Sequence, residues 1–227
     1  MSTTIGYSSE LYLIDPQDLI KLKKTPVADA AIVMQKDPII VLVGNSQSKQ
    51  KDTLVCGRDI IKNAIANNLE YVEVRFVFHS NIANWNILPI FFKGLRKNYK
   101  FESKTIYHTS LSHLRSLHIE RGFRNAENAY VISKRWHITP EKRIEKYNKL
   151  KNSILKKGFS DKFPISIMLC RRMGIKDSVD DGHHRIGLCV ENNIDRIAIH
   201  FRAAGALMPL MQKFGLKIIN KLCKIKH

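Results

Sequence analysis

The run Ser178-Val179-Asp180-Asp181-Gly182-His183-His184-Arg185-Ile186 is the most informative stretch of this 227-residue chain. It follows the apolar segment 164–169 and precedes a predicted helix and a second apolar segment, 196–201. Glycine lets the backbone turn sharply and approach a ligand closely. The residues that follow it open a helix, whose first N–H groups attract anions. Two histidines and an arginine at that point add donors and positive charge suited to phosphate. The pattern predicts a loop that holds a phosphorylated ligand.

Arg185 is the main candidate for a phosphate ligand in this loop. A cation at a helix N-terminus is electrostatically unfavourable unless an anion lies beside it. The alternative is an ordinary surface arginine at a helix start. If Arg185 is the phosphate ligand, its removal is expected to abolish binding with little loss of stability, because an exposed arginine contributes little packing. Gly182 and His184 are predicted to approach the same phosphates, and His183 is a candidate catalytic residue, since tandem histidines after Asp-Gly suggest ligand contact.

The two aspartates before Gly182 have two interpretations. Asp-Gly is a common turn dipeptide, so the pair is typical of a simple chain reversal. A carboxylate at this place is equally suited to accept the proton of an attacking hydroxyl, or to ligate Mg²⁺ beside a phosphate. Both interpretations stay open, with Asp181 as a candidate catalytic residue and Asp180 as a candidate donor-binding residue.

The Asp-Gly-His-His-Arg run between two apolar strands resembles the ParB/sulfiredoxin superfamily, most closely its free-serine-kinase-like branch, over about residues 136–205. In that superfamily a Gly-x-x-Arg loop before a helix binds nucleotide phosphates. Serine-kinase-like members carry Asp-Gly-His-x-Arg, which Asp181 through Arg185 match. ParB proteins usually carry Gly-Glu-Arg-Arg instead. Sulfiredoxins carry a cysteine where this chain has His183, so sulfiredoxin chemistry is not expected.

The same resemblance implies a catalytic base ahead of this unit's first helix, because kinase-like members have a glutamate there. Glu141 lies in the corresponding stretch and is the candidate base. Thr139, Pro140 and Glu141 are also typical of a helix start, as N-cap, first helical residue and first-turn acid. Glu141 therefore has a structural explanation beside the catalytic one.

A weaker copy of the loop occurs earlier in the chain, around Gly57. An offset of 125 residues carries Gly57 onto Gly182, Asn67-Asn68 onto Asn192-Asn193, and Phe76 onto Phe201. Chance is the alternative, because any two strand–turn–helix–strand units share apolar periodicity; the coincident positions favour a duplication. Ile60 stands where the second copy has Arg185, so the first copy is expected to lack the main phosphate ligand.

The order of predicted elements gives an α/β (α+β) fold, in which two duplicated ParB/sulfiredoxin-like β-β-α-β units pack as one body. Residues 1–80 form the degenerate unit, and residues 81–135 a connecting segment of strand and helix. Residues 136–205 form the unit with the phosphate-binding loop. Residues 206–227 are predicted to form a basic amphipathic helix, which either packs on the core or lies on an anionic membrane surface.

The chain is strongly basic, with 38 Lys and Arg against 20 Asp and Glu and a net charge of +18. Such a field attracts polyanions such as nucleic acid, phosphorylated metabolites or an anionic membrane, although a solvated lysine-rich surface explains it as well. The four cysteines form no C-x-x-C pair, which argues against zinc and disulfides and favours a reducing cytoplasm. We expect a cytoplasmic protein, peripheral at the inner membrane face if the last helix binds there.

These features together predict a transferase, kinase-like or a glycosyltransferase, that binds a nucleotide or nucleotide-sugar donor, with Mg²⁺ as a further candidate cofactor. The acceptor would be a hydroxyl compound, either a small metabolite or a surface glycan. The alternative function is a ParB-like nucleic-acid-binding protein. It is less favoured, because the Gly-Glu-Arg-Arg signature is absent and no helix-turn-helix follows the second unit. A binding subunit without catalysis is a third alternative.

Overall fold

The computed structural model describes residues 4–25, 37–44, 50–80, 99–117, 139–169 and 176–204. Its strands are β1 (Thr4–Tyr7), β2 (Tyr12–Ile14), β3 (Lys23–Lys24), β4 (Ile40–Leu42), β5 (Thr53–Cys56), β6 (Val72–Ser80), β7 (Tyr99–Glu102), β8 (Tyr107–Ser110), β9 (Ile165–Leu169), β10 (Ser178–Asp181) and β11 (Arg196–Ala204). Its helices are α1 (Pro16–Ile20), α2 (Arg58–Ala66), α3 (Leu111–Ser116), α4 (Pro140–Lys157) and α5 (His183–Glu191). The predicted α/β (α+β) class is confirmed.

The strands form two mixed sheets. The first has the order β1-β6-β4-β5-β3, with β2 also paired to β6, and the second has the order β10-β9-β11-β7, with β8 also paired to β11. A parallel pair lies inside each sheet, β4 with β6 and β9 with β11. Strands β7 and β8 come from the segment predicted to connect the units, and both pair with β11. That segment therefore supplies part of the second sheet.

The two sheets repeat the same strand registers. Val41 pairs with Phe76 in the first sheet, and Ile167 pairs with Phe201 in the second. In each sheet the antiparallel strand that leads into the helix, β5 or β10, carries a β-bulge just before the turn. The equivalence is geometric; that the units arose by duplication, and that they are related to ParB, remain predictions.

The turns that follow the bulges are also alike. Gly57 and Gly182 have φ of 92° and 101° and cap the N-termini of α2 and α5. Asn68 and Asn193 follow the same two helices with φ of 53° and 54°. Glycine and asparagine are the residues that tolerate this left-handed conformation best, so the repeated sequence positions have a backbone reason.

Helix α4 begins and ends at the residues that the sequence indicated. The hydroxyl of Thr139 accepts a hydrogen bond from the Lys142 amide, Pro140 is the first helical residue, and Gly158 ends the helix. Tyr147 and Ile154 are buried on the helix's inner face, while five of its six lysines are exposed. The predicted amphipathic helix over residues 206–227 lies outside the described part of the chain.

One apolar core joins both sheets. At its centre the rings of Phe76 and Phe201 stack with centroids 3.8 Å apart. Tyr12 packs edge-on against Phe201 at 4.9 Å, and Tyr107 packs edge-on against Phe76 at 5.2 Å. Each tyrosine thus contacts the phenylalanine of the other sheet, and such edge contacts add about 0.5–1.5 kcal/mol each beyond the area that they bury.

Two buried aspartates each accept a hydrogen bond from a tyrosine, one across the core in each direction. Tyr107 of the second sheet donates to Asp52, which precedes β5, at 2.7 Å. Tyr12 of the first sheet donates to Asp177, which precedes β10, at 2.8 Å. All four side chains are buried. Burial raises the pKa of Asp52, and hydrogen bonds from the Ser103 hydroxyl, the Gly44 amide and Tyr107 oppose that rise.

We expect Tyr107→Phe and Tyr12→Phe each to lower the free energy of unfolding by about 1–3 kcal/mol, because each leaves a buried carboxylate short of one donor. Urea denaturation measures the change. Tyr147→Phe is the matched control, since the hydroxyl of Tyr147 makes a long hydrogen bond of 3.4 Å to Glu191, which is exposed to water. We expect its free energy of unfolding to stay within about 0.5 kcal/mol of wild type. Equal stability of wild type and Tyr107→Phe would contradict the role given to this contact.

Candidate functional site

Gly182 sets the geometry of the predicted phosphate loop. Its φ of 101° and ψ of 7° are left-handed, and a Cβ added there would lie 2.9 Å from Ile165 Cγ1. The turn therefore needs glycine both for its conformation and for its close approach to β9. Helix α5 begins immediately afterwards at His183, with no side-chain cap and no acid in its first turn.

Arg185 is tied into the structure. Its guanidinium donates to the carbonyl of Phe163 and to the carboxylate of Asp181, the latter at 3.2 Å. The side chain of Arg185 is 15% exposed and that of Asp181 is 75% exposed. The expectation of an exposed arginine without a structural role is wrong. The Phe163 carbonyl that accepts its hydrogen bond lies in the loop between α4 and β9, and no local sequence pattern predicts that contact.

The bulge at the end of β10 turns both aspartates toward one residue of β9. Val179 pairs with Ile167 and Asp181 pairs with Ser166, which leaves Asp180 as the extra residue. A bulge of this kind sets two residues of one strand against one of its partner. Asp180 in turn meets Arg202 of β11 at 3.5 Å, so an ion pair accompanies the turn at Gly182, and both interpretations of the aspartates stay open.

These contacts lie on the side of the second sheet that faces away from the core. Alternate residues of β9 and β11, among them Ile165, Ile167, Ile199 and Phe201, belong to the core cluster. The residues between them therefore point to the opposite side, because side chains alternate along a strand. We call that side the polar face; its members are Glu102, Ser166, Asp180, Asp181, His200 and Arg202.

Arg202 connects the polar face across its strands. Its Nε donates to Glu102 Oε1 at 2.8 Å, and its Nη1 reaches Asp180 Oδ2 at 3.5 Å. The side chains of Arg202 and Asp180 are 26% and 20% exposed. These ion pairs are therefore partly shielded from solvent, and a ligand that reaches the face meets groups already fixed in position.

Asp181, Ser166 and His200 form a row across three strands. Ser166 is the register partner of Asp181 on one side and of His200 on the other. Residues paired in this way on one face have Cβ atoms about 5 Å apart. Burial lowers the pKa of His200, and the charges of Arg202 and Arg185 lower it further, while Glu102 and Asp181 act in the opposite direction.

The first sheet carries apolar residues at most of the equivalent positions. Ile40, Leu42 and Val77 are buried there, with Val55 and Cys56 packed against them. The matching positions in the second sheet hold Ser166, Met168, Arg202, Asp180 and Asp181. This difference identifies Arg202 and Ser166, which the motif alone did not indicate; aligning the two units position by position would have shown it. His200 is found only from the registers, because the first sheet has a charged residue, Arg75, in its place.

The first turns of α2 and α5 also differ in charge. Asp59 stands in the first turn of α2 where α5 has His184. Arg58 of α2 donates to the carbonyls of Ile20 and Leu22, at the C-terminal end of α1. The first unit therefore neutralises its helix start with its own acid and uses its arginine to hold a neighbouring helix.

Glu141 is exposed in the first turn of α4. Helix α4 contacts α5 through a hydrogen bond from Tyr147 to Glu191, at the opposite end of α5 from Gly182. Hydrogen bonds from its own amide and from Thr139 lower the pKa of Glu141, which makes it a weaker base. This geometry favours the helix-start interpretation over the catalytic one.

His183 and His184 begin α5 and are half-buried, with both Nδ1 atoms buried; their catalytic and donor-binding roles remain predictions. Among the described residues, no group of three or more histidines, cysteines or acids is arranged to hold a metal ion. Asp180 and Asp181 are engaged by Arg202 and Arg185. If Mg²⁺ takes part, the donor's phosphate oxygens are its natural ligands.

A shallow cavity of about 290 Å³ lies at the other end of α5, lined in part by Ser112, Arg115, Cys189 and Asp195. Burial raises the pKa of the Cys189 thiol to about 11, so it remains protonated at neutral pH. This cavity shares no lining residue with the Gly182 loop or the polar face.

No family model, no curated protein and no solved structure matches this chain. The likeness to the ParB/sulfiredoxin superfamily therefore rests on the loop residues and their flanking strands. Within the ranges that the structure describes, no helix is long and apolar enough to cross a bilayer.

We expect Gly182→Ala and Gly57→Ala each to lower the free energy of unfolding by about 1–3 kcal/mol or more, because alanine is strained at these φ values. An added Cβ would also approach Ile165 in one case and the Pro38 carbonyl in the other. Asn193→Gly tests the same helix at its other end, where glycine tolerates the left-handed backbone. It should stay within about 0.5 kcal/mol of wild type. A neutral Gly182→Ala in urea denaturation would contradict the close approach of this turn to β9.

Proposed function

We propose that this protein is a transferase that binds a phosphorylated donor, a nucleotide or nucleotide sugar, at the Gly182–Arg185 loop. It passes a phosphoryl or glycosyl group to the hydroxyl of a small metabolite or a glycan. The observation that carries the proposal is an arginine fixed at the start of a helix that has no side-chain cap and no first-turn acid.

The electrostatics of this helix start support anion binding. The N-terminus of a helix carries a partial positive charge, and Arg185 adds a full one within the first turn. Asp181 offsets part of it, but its carboxylate is 75% exposed. The phosphates of a donor would stabilise both positive contributions, and the bonds of Arg185 to Phe163 and Asp181 set its orientation beforehand.

The same groups suit the transfer step. As the donor's leaving group departs, negative charge grows on its oxygen, and a positioned guanidinium stabilises that charge. The polar face extends from this loop across β9 and β11 and offers half-exposed polar groups for an acceptor. Phosphoryl and glycosyl transfer share these requirements, and they differ in whether phosphorus or the anomeric carbon is attacked.

The net charge of +18 favours nucleic-acid binding as the second candidate function. Against it, the polar face carries three carboxylates, those of Glu102, Asp180 and Asp181, which repel a phosphodiester backbone. A small phosphorylated donor at the helix start needs to approach only one of them. A cytoplasmic location, with residues 206–227 at the inner membrane face, belongs to the same proposal.

Thermal-shift measurements with ATP, ADP, CTP and UDP-glucose, each with and without Mg²⁺, test donor binding. We expect at least one of them to raise the melting temperature, because a ligand that binds only the folded state stabilises it. If none does, while a DNA duplex binds with an affinity that falls steeply with salt, the nucleic-acid alternative replaces the transferase.

Arg185→Lys tests the ligand role of the arginine. We expect affinity for the stabilising nucleotide to fall about ten- to a hundredfold by calorimetry, since lysine keeps the charge but loses the planar fork. Because Arg185 also bonds Phe163, the melting temperature without nucleotide should fall too. Arg58→Lys is the matched control: it loses contacts with α1, so it should lower the melting temperature and leave affinity unchanged. Equal affinity in Arg185→Lys and wild type would rule out the arginine as a ligand.

A further inference from the structure

His200 occupies a distinctive place on the polar face. It is half-buried on β11, in register with Ser166, and the charged groups around it come from four elements: Arg202 on its own strand, Glu102 on β7, Asp181 on β10 and Arg185 on α5. Its position thus joins the donor loop to the rest of the face. No other histidine of the described residues lies on this face.

The protonation state of His200 suits a proton acceptor. Its pKa is lowered from the ordinary value of 6.5, first by burial and then by the positive charge of Arg202. The imidazole is therefore neutral at pH 7 and carries a lone pair. Asp181 is a poorer choice, since its carboxylate is bound to a guanidinium.

Ser166, the register partner of His200, gives independent evidence for a ligand at the same place. The residue is 1% exposed, and its Oγ has no hydrogen-bond partner among the described residues. Buried hydroxyls are almost always hydrogen-bonded, so one without a partner calls for an explanation. The first unit has Ile40 at this position and Arg75 in place of His200, with Arg75 paired to Asp37 at 2.8 Å.

We propose that His200 is the proton acceptor of the transfer reaction, and that Ser166 helps to orient the acceptor hydroxyl between His200 and the donor held at Arg185. This inference rests on the proposed function. The proton of the acceptor hydroxyl passes to an imidazole nitrogen, and the acceptor oxygen forms a bond to the donor's phosphorus or anomeric carbon. The bond to the leaving oxygen breaks, and its electron pair departs with the leaving phosphate, next to Arg185.

Inorganic pyrophosphate, a minimal mimic of the donor's phosphates, tests the placement without any substitution. Histidine ring signals followed by NMR against pH give the pKa of each imidazole. With pyrophosphate bound, we expect the pKa of His200 to rise, because nearby negative charge favours the protonated ring. His113 of α3, whose Nε2 lies 3.3 Å from the Leu11 carbonyl, is the internal control, and its pKa should not change when pyrophosphate binds.

Turnover measurements test the proton transfer itself, with ATP and UDP-glucose as donors and L-serine, glycerol and glucose as acceptors. His200→Gln should keep the wild-type affinity for pyrophosphate to within about threefold but lower kcat about 10²- to 10⁴-fold. The wild-type rate should fall with decreasing pH below 6.5, as His200 becomes protonated, and the variant should lose this dependence. Ser166→Ala should mainly raise KM for the acceptor, and His113→Gln should behave as wild type.

The possible failures are distinguishable. If pyrophosphate binds and the pKa of His200 does not move, or if His200→Gln turns over at the wild-type rate, the role of His200 is refuted while the proposed function stands. If neither pyrophosphate nor any donor binds or is consumed by the wild-type protein, the proposed function falls and the role of His200 falls with it.

Discussion

The crossed hydrogen bonds between buried tyrosines and aspartates are the interaction on which the rest of the structure depends. A carboxylate inside a protein is very unfavourable unless donors surround it. Asp52 receives a donor from Tyr107 of the second sheet, and Asp177 receives one from Tyr12 of the first. Neither sheet satisfies its own aspartate with its own tyrosine. The two sheets therefore stabilise each other across one shared core.

This packing also determines where the polar face lies. Phe201 stacks on Phe76 at the centre of the core, and that contact fixes which side of β11 points inward. Because side chains alternate along a strand, His200 and Arg202 must then point outward. A register shift of one residue would bury Arg202 and expose Phe201, so the aromatic contact indirectly holds the candidate site in place.

Local signals in the sequence predicted the elements around the loop, and long-range pairing explains what they missed. Thr139 and Gly158 bound α4 as expected, and Gly182 begins α5 as expected, because caps and left-handed turns involve neighbouring residues. The burial of Arg185 depends instead on a carbonyl 22 residues away. The ion pair of Arg202 with Glu102 depends on a strand 100 residues away. Spacing within one segment carries no information about such partners, so four of the six polar-face residues, Glu102, Ser166, His200 and Arg202, were not predicted.

Comparison of the two units shows that the backbone conformation of the Gly182 loop is not by itself evidence of a ligand site. Gly57 and Gly182 make nearly the same turn, so a left-handed glycine before a helix is compatible with a purely structural role in this fold. What distinguishes the second unit is side-chain chemistry on a shared backbone: Arg185 for Ile60, His184 for Asp59 and Ser166 for Ile40. A burial-driven scaffold favours the apolar residues of the first unit at these places. The second unit carries charged and polar groups there instead, and the ligand binding that we propose would account for them.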